Sequence, residues 1–120
     1  MKTDIKVELN AALSSDSELV ALLKGRRIYQ LAAPVADEFP RITFFEIENF
    51  SSAFADDTAY AADVLVQVDV WHKGSTSAIA GEVDRIMKGL GYTRSGAADL
   101  YEDGGIFHKA MRYRAYFEEE

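Results

Sequence analysis

With 120 residues, 48% of them hydrophobic, the chain is long enough for one core of ordinary size, and we expect a single domain over residues 1–120. Its 13 basic and 20 acidic residues give a net charge of −7, which disfavours nonspecific binding to nucleic acid or anionic lipid. The lack of cysteine excludes disulfides and thiolate chemistry, and no apolar run approaches the ~20 residues of a membrane span or forms a signal peptide, so we expect a cytoplasmic product.

Two short helices are predicted at the N-terminus. Thr3 and Asp4 suit the start of a helix, and apolar residues follow at helical spacing, which predicts a first helix over residues 3–14. Residues 15–18 form a capping-box pattern ahead of a second apolar run, and a glycine suits its C-terminal cap. This pattern predicts a second helix over residues 16–24.

Three strands and a long loop are predicted next. Residues 27–31 have the composition of a short strand, and a proline-bounded linker leads into a strand over residues 41–50. Residues 51–59 are small and polar without clear periodicity, so we expect a long loop of the kind that is often functional or mobile. Residues 60–72 alternate valine with other residues, which predicts a central strand.

The C-terminal part is predicted to add one main helix and a closing hairpin. Apolar residues recur at helical spacing over residues 76–90, followed by a short strand at 92–95 and a turn at 96–99. The closing hairpin begins at Leu100, and in its last strand apolar and polar side chains alternate, as in a strand with one buried face. The apolar positions are Met111, Tyr113, Ala115 and Phe117. The polar positions between them and before them include His108, Arg112 and Arg114.

This order of elements predicts an α+β fold: a mostly antiparallel sheet of about four to five strands with helices packed on one face. The apolar sides of the central and last strands are expected to pack on the main helix. Gln67, Asp69, Arg112 and Arg114 are expected on the opposite face of the sheet. The two arginines are expected to meet carboxylates there, either Asp69 and the Glu46/Glu48 pair of the same subunit or acids of the next one. At the start of the second strand, the alternation places Glu46 and Glu48 on one face together with Ile42 and Phe44.

The sequence offers little support for enzymatic chemistry. His72 and His108 each lie on a predicted strand beside a lysine, without the spacing of metal-ligand pairs, and are expected near strand ends with one ring edge in water. No nucleophile elbow or phosphate-binding glycine loop is present, so no catalytic residue, cofactor or metal is expected. Asp56 and Asp57 could serve as paired acids or as a weak cation site, but neighbouring acids in a flexible loop are usually only solvated. Trp71 is a sheet anchor or a partner contact.

The acidic charge is regional. Residues 37–69 carry eight acids and one base, so the rest of the chain is neutral. This concentration indicates either a solvated face that favours solubility or a surface that faces a basic partner or repels a polyanion.

Several segments in order resemble the tail-completion (tail terminator, tail-to-head joining) proteins of long-tailed bacteriophages. These segments are the helix end and strand at residues 22–29, the linker from Pro34 to Pro40 into an aromatic strand, the valine-rich strand ending at Trp71, the helix end at residues 90–92 and the closing hairpin at residues 101–117. Many such proteins carry an aromatic residue directly after the second proline, where this chain has Arg41. The resemblance covers nearly the whole chain.

The resemblance implies a structural role in the virion tail, without catalysis, and assembly in the host bacterial cytoplasm. Such proteins cap the tail tube as a ring, commonly a hexamer, and join it to the head-completion or connector protein, while DNA passes through without specific binding. Residues 51–59 match the family's long mobile connection, and residues 108–116 match its closing edge. The candidate interface residues are Glu46, Glu48, Asp56, Asp57, Asp69, Trp71, His108, Arg112 and Arg114.

Two other functions remain open from the residues alone. A small enzyme or ligand-binding domain would need a concave pocket with convergent polar groups. An acidic mimic of nucleic acid that binds a basic protein would need carboxylates spaced like phosphates over one continuous face.

Overall fold

The computed structural model describes residues 4–55 and 58–118, which form three helices and five strands. The helices are α1 (Lys6–Ser15), α2 (Ser17–Leu23) and α3 (Ser77–Gly89), and the strands are β1 (Ile28–Gln30), β2 (Arg41–Ala55), β3 (Thr58–His72), β4 (Thr93–Glu102) and β5 (Ile106–Glu118). The strand order is β1-β2-β3-β5-β4, with β1 parallel to β2 and all other pairs antiparallel. The predicted α+β fold with a mostly antiparallel sheet is confirmed.

The hydrophobic core lies between the sheet and the three helices. The even-numbered valines of β3, from Val64 to Val70, are fully buried, as expected for the inward side of a central strand. Val83 and Met87 of α3 and Tyr113 of β5 are buried in the same cluster. The predicted packing of the central and last strands on the main helix is therefore confirmed. Within the described ranges, no helix is both long and apolar enough to cross a membrane.

The helix caps differ from the sequence pattern in detail. The side chain of Asp16, rather than that of Ser15, caps α2 by accepting a hydrogen bond of 3.0 Å from the backbone N–H of Leu19. At the other end of α2, Lys24 takes the left-handed conformation, with a φ of 60°. Arg85 of α3 reaches the Asp16 carboxylate at 2.7 Å and joins the two helices.

The predicted long loop over residues 51–59 is wrong. β2 and β3 stay paired from Arg41↔Trp71 to Ala55↔Thr58, so residues 51–55 and 58–59 extend the two strands as a ribbon. Small polar residues carry no apolar alternation, but their backbones continue a ladder whose register is already set by the buried part. Asp56 and Asp57 lie outside the described residues.

The predicted short strand at residues 92–95 and turn at 96–99 are also wrong, because β4 runs without a break from Thr93 to Glu102. The glycine at 96 accompanies a bulge between Arg94 and Gly96, not a reversal of the chain. The reversal comes later, at Gly104 and Gly105, whose φ angles of 83° and 76° suit glycine.

Candidate functional site: the open face of the sheet

The sheet has a second face, which we call the open face, opposite the three helices. It carries the side chains that alternate with the core residues along β2, β3 and β5. These include Thr43, Phe45 and Glu48 of β2, Leu65, Gln67, Asp69 and Trp71 of β3, and His108, Arg112 and Arg114 of β5. Most of the sequence-predicted interface residues therefore meet on one surface.

At the centre of one end of the open face, His108 is buried, with 8% of its surface exposed. Its ring stacks on Trp71 with centroids 3.8 Å apart and planes 15° from parallel. Its Nε2 lies 2.7 Å from Oδ1 of Asp69, and its Nδ1 lies 3.2 Å from Oε1 of Glu102. The expectation that His108 keeps a ring edge in water is wrong, because neighbouring strands bring an indole and two carboxylates around it.

The same network reaches Arg112, an exposed residue of β5. The Asp69 carboxylate, buried at 4% exposure, accepts a second hydrogen bond of 2.9 Å from Nε2 of Gln67. The carbonyl oxygen of the same amide, Oε1 of Gln67, accepts a hydrogen bond of 3.2 Å from Nε of Arg112. The chain of contacts thus joins β4, β5 and β3 from Glu102 to Arg112.

Trp71 also anchors the other side of the face. Its indole Nε1 donates a hydrogen bond of 2.9 Å to Oγ1 of Thr43, while the ring stays partly exposed. The guanidinium of Arg41 lies 5.4 Å from the indole and 4.5 Å from the ring of Phe39, within reach of cation–π attraction. Burial lowers the pKa of Arg41, and the nearby Glu38 carboxylate opposes this shift. Arg41 therefore stands between two aromatic rings.

Glu46 and Glu48 do not share a face, contrary to the sequence prediction. A bulge separates them: Glu46 pairs with Val66 of the core side and Glu48 pairs with Leu65 of the open face. The extra residue shifts the alternation by one position. Glu46 accepts a hydrogen bond of 3.0 Å from Asn49 instead of facing an arginine.

The expectation that Arg112 and Arg114 meet acids of the same subunit is not met among the described residues. The Asp69 carboxylate contacts His108 instead, and Arg112 donates a hydrogen bond to the amide oxygen of Gln67. Arg114 lines a depression of about 100 Å³ with Glu48 and Asp63, without an ion pair within 4 Å in the described part of the chain. Both arginines are exposed.

His72 lies apart from this network, on the side of the sheet that carries the core valines. Its Nδ1 accepts a hydrogen bond of 2.9 Å from the backbone N–H of Gly74. Burial, together with the charge of Lys24, lowers the pKa of His72. In the ranges 4–55 and 58–118, no group of three or more histidines and acids could hold a metal ion.

A depression of about 430 Å³ lies between α3 and β4, floored by small residues and Met111. Its charged side chains are paired with each other: Arg94 lies 3.1 Å from Asp84, and Lys109 lies 3.3 Å from Asp99. Asp84 also accepts a hydrogen bond of 2.9 Å from the hydroxyl of Tyr113. Burial by itself would raise the pKa of Asp84. The hydrogen bonds from Lys88 and Tyr113 outweigh this effect and keep the pKa below its usual value.

The regional acidity does not form one face among the described residues. Asp69 is buried, Glu46 and Glu48 point to opposite sides, and Glu38 lies 3.9 Å from Arg27. A mimic of nucleic acid needs evenly spaced exposed carboxylates, and this arrangement does not supply them.

Sequence reasoning missed Thr43, Gln67 and Glu102 as members of the network. The alternation placed Gln67 and Asp69 on the correct face, but the partner of each depends on the strand register. In the structure, Gln67 pairs with Arg112 and Trp71 with His108. Two sequence-predicted sites, Asp56 and Asp57, lie outside the described residues.

The profile of the family described as "Tail completion protein gp17" matches residues 7–118. The chain belongs to this family. Members of the gp17 tail-completion family are structural proteins of phage tails, and the resemblance seen in the sequence is confirmed.

The fold also has a counterpart among solved structures. A chain in the solved structure of the virion of a native gene transfer agent particle matches with a TM-score of 0.66 at 14% identity, over 92% of this chain and 91% of that one. At this identity the match establishes a shared fold. No curated protein matched.

Proposed function

We propose that this member of the gp17 family acts as one domain that assembles into a ring, most simply a hexamer, on the end of the phage tail tube and joins the tail to the head. The observation that carries the proposal is the family match over residues 7–118. The partners are copies of the same chain, the tail tube protein and the head-completion or connector protein. Assembly takes place in the host cytoplasm, and no reaction is catalysed.

The shape of the protein supports a role between two partners. The principal extents are 54 × 27 × 24 Å, with the long strands β2, β3 and β5 forming its length. Exposed aromatic side chains lie near both ends of these strands: Tyr101 and Phe107 at one end, and Phe50 and Tyr116 at the other. Aromatic residues are enriched at protein interfaces, so each end offers contacts for a different partner.

The charge of the chain supports passage of DNA without specific binding. A net charge of −7 repels a phosphate backbone at short range, while salt screens the repulsion beyond about 8 Å. The open face itself carries two exposed arginines, Arg112 and Arg114. We propose that this face, with Asp69, Trp71 and His108 as its framework, lies at a subunit boundary.

Deletion of the encoding gene tests the proposal. The expected phenotype is filled heads and separate tails, and supply of the wild-type chain in trans restores joined particles. A matched pair of variants separates assembly from folding: Arg114→Glu on the open face and Lys88→Glu on the outer side of α3. Joined, infectious particles in the absence of the chain would overturn the proposed function.

A further inference from the structure

The open face presents two arginines to a partner from a fixed base. Arg112 and Arg114 alternate on β5, so their side chains leave the same face about 7 Å apart. Their cross-strand neighbours on this face are the polar Gln67, opposite Arg112, and the apolar Leu65, opposite Arg114. This surface fits a partner with two acceptors beside an exposed apolar residue.

The network behind Arg112 orients its guanidinium. Asp69 accepts from the nitrogen of the Gln67 amide, which turns the amide oxygen toward Nε of Arg112. With Nε occupied, the two terminal nitrogens remain available for a carboxylate, the geometry that arginine uses for paired hydrogen bonds. Less side-chain entropy is then lost on binding, because the stem is already held.

The outer side of α1 carries the complementary features. Val7 of α1 is 78% exposed and is followed by Glu8, while Asp4 lies two residues before the helix begins. A depression of about 220 Å³ beside Val7 is lined by the polar side chains of Asp4, Asn10 and Gln30 together with Lys6 and Phe44. Oδ1 of Asp4 accepts a hydrogen bond of 2.9 Å from the backbone N–H of Lys6, while Oδ2 lies 3.8 Å from Lys6 Nζ in an exposed and weak pair that an arginine can replace.

We propose that the outer side of α1 of one copy packs on the open face of the next copy, with Val7 against Leu65 and the acids Asp4 and Glu8 facing Arg112 and Arg114. The proposal rests on the proposed function, and it names the two surfaces that build the ring. Within one chain, α1 and the open face lie on opposite sides of the sheet, so this contact forms only between copies. A contact between two different surfaces is head-to-tail and closes into a ring when its rotation allows.

Disulfide trapping tests this contact directly, because the chain has no cysteine of its own. Purified Val7→Cys protein is mixed with Leu65→Cys protein and oxidised at high concentration. The expected product is a disulfide-linked dimer in the mixture only, since the two thiols approach only across the proposed boundary. The matched control replaces Val7→Cys with Lys88→Cys on α3, which should give no dimer.

Charge exchange provides an independent readout of the same boundary. A face variant carries Arg112→Glu with Arg114→Glu, and a helix variant carries Asp4→Lys with Glu8→Lys. Each variant alone sets like charges against each other, and its self-association should weaken at least about tenfold at low salt. A mixture of the two restores opposite charges at every boundary, so it should associate like the wild type. Circular dichroism and melting confirm that each variant is folded.

The outcomes separate this inference from the proposed function. Cross-linking equal to that of the control, with no restoration on mixing, overturns the α1 contact, while tube capping by the wild type still supports the ring. If only the face variant loses self-association, and it also binds linear duplex DNA more weakly than the wild type, the arginines face nucleic acid and the inference is wrong. If the wild type neither caps tubes nor self-associates, the proposed function itself has failed.

Discussion

Replacing His108 with leucine removes the group that joins three strands on the open face. The imidazole lies 2.7 Å from the buried Asp69 carboxylate and stacks on Trp71 at 3.8 Å. Leucine has a similar volume, so the main loss is polar and aromatic contact rather than a cavity. We expect the variant to fold but to unfold at a lower denaturant concentration.

The magnitude follows from the two contacts. A hydrogen bond to a charged group contributes about 1.5–3 kcal/mol, and a stacked aromatic pair adds about 0.5–1.5 kcal/mol. Asp69 keeps its bond from Gln67, so its carboxylate loses one of two donors rather than all of them. The free energy of unfolding should therefore fall by about 2–4 kcal/mol.

Urea unfolding followed by tryptophan fluorescence measures this change, because Trp71 is the only tryptophan. The matched control is Glu102→Gln, which alters the other partner of the ring. The side chain of Glu102 is 45% exposed, so its loss should cost at most about 1 kcal/mol. If His108→Leu destabilises the protein no more than Glu102→Gln does, the network described here does not hold the sheet.

Three further outcomes follow from the core, a helix cap and the open face. Val83→Ala should lower the free energy of unfolding by roughly 1–3 kcal/mol, because Val83 is fully buried, whereas Lys88→Ala should change it far less; equal unfolding midpoints would show that the buried face of α3 is assigned wrongly. Asp16→Asn keeps a capping oxygen but removes the carboxylate. The hydrogen bond from Arg85 lowers the pKa of that carboxyl group in the wild type. Because the folded pKa lies below the unfolded value of 3.8, the wild type should exceed this variant in stability above about pH 4 and lose the advantage as the pH falls through the folded pKa, so an unchanged difference at pH 2 in thermal melts would contradict the assignment. Arg112→Glu should leave the thermal stability of the monomer within about 1 kcal/mol, and a larger loss would mean that Arg112 is not exposed.

The sequence was sufficient for the layer arrangement because strong periodicity fixes which side chains are buried. The alternating valines of β3 and the helical spacing in α3 both place their apolar residues in the core, as predicted. These patterns reflect burial of apolar area, which is the dominant favourable term in folding. The closing strand was recognised for the same reason.

Residues without apolar periodicity were placed wrongly. Residues 51–55, which are small apart from Phe54, and the small residues at 96–98 carry no burial signal, yet their backbones continue ladders set by neighbouring strands. Strand pairing is a tertiary property, and a glycine in an edge strand can mark a bulge as well as a turn. The sequence gives no means of choosing between these outcomes at Gly96.

The candidate site was predicted as a face but not as a network. Alternation along single strands put Asp69, Trp71 and Arg112 on one side, and the structure places them there. Their partners depend on register between strands far apart in sequence, and a single bulge moved Glu48 away from Glu46. For this reason the partner of Asp69 across the strands is His108 and not an arginine.

Electron microscopy of purified tail tubes incubated with the protein tests the central claim most directly. The proposal predicts a closed ring of added density at one end of each tube, with six-fold symmetry in averaged end views. The same ring should be absent from tubes incubated with the Arg112→Glu, Arg114→Glu variant at low salt. Bare tube ends at saturating wild-type protein, or density spread along the tube wall, would contradict the account.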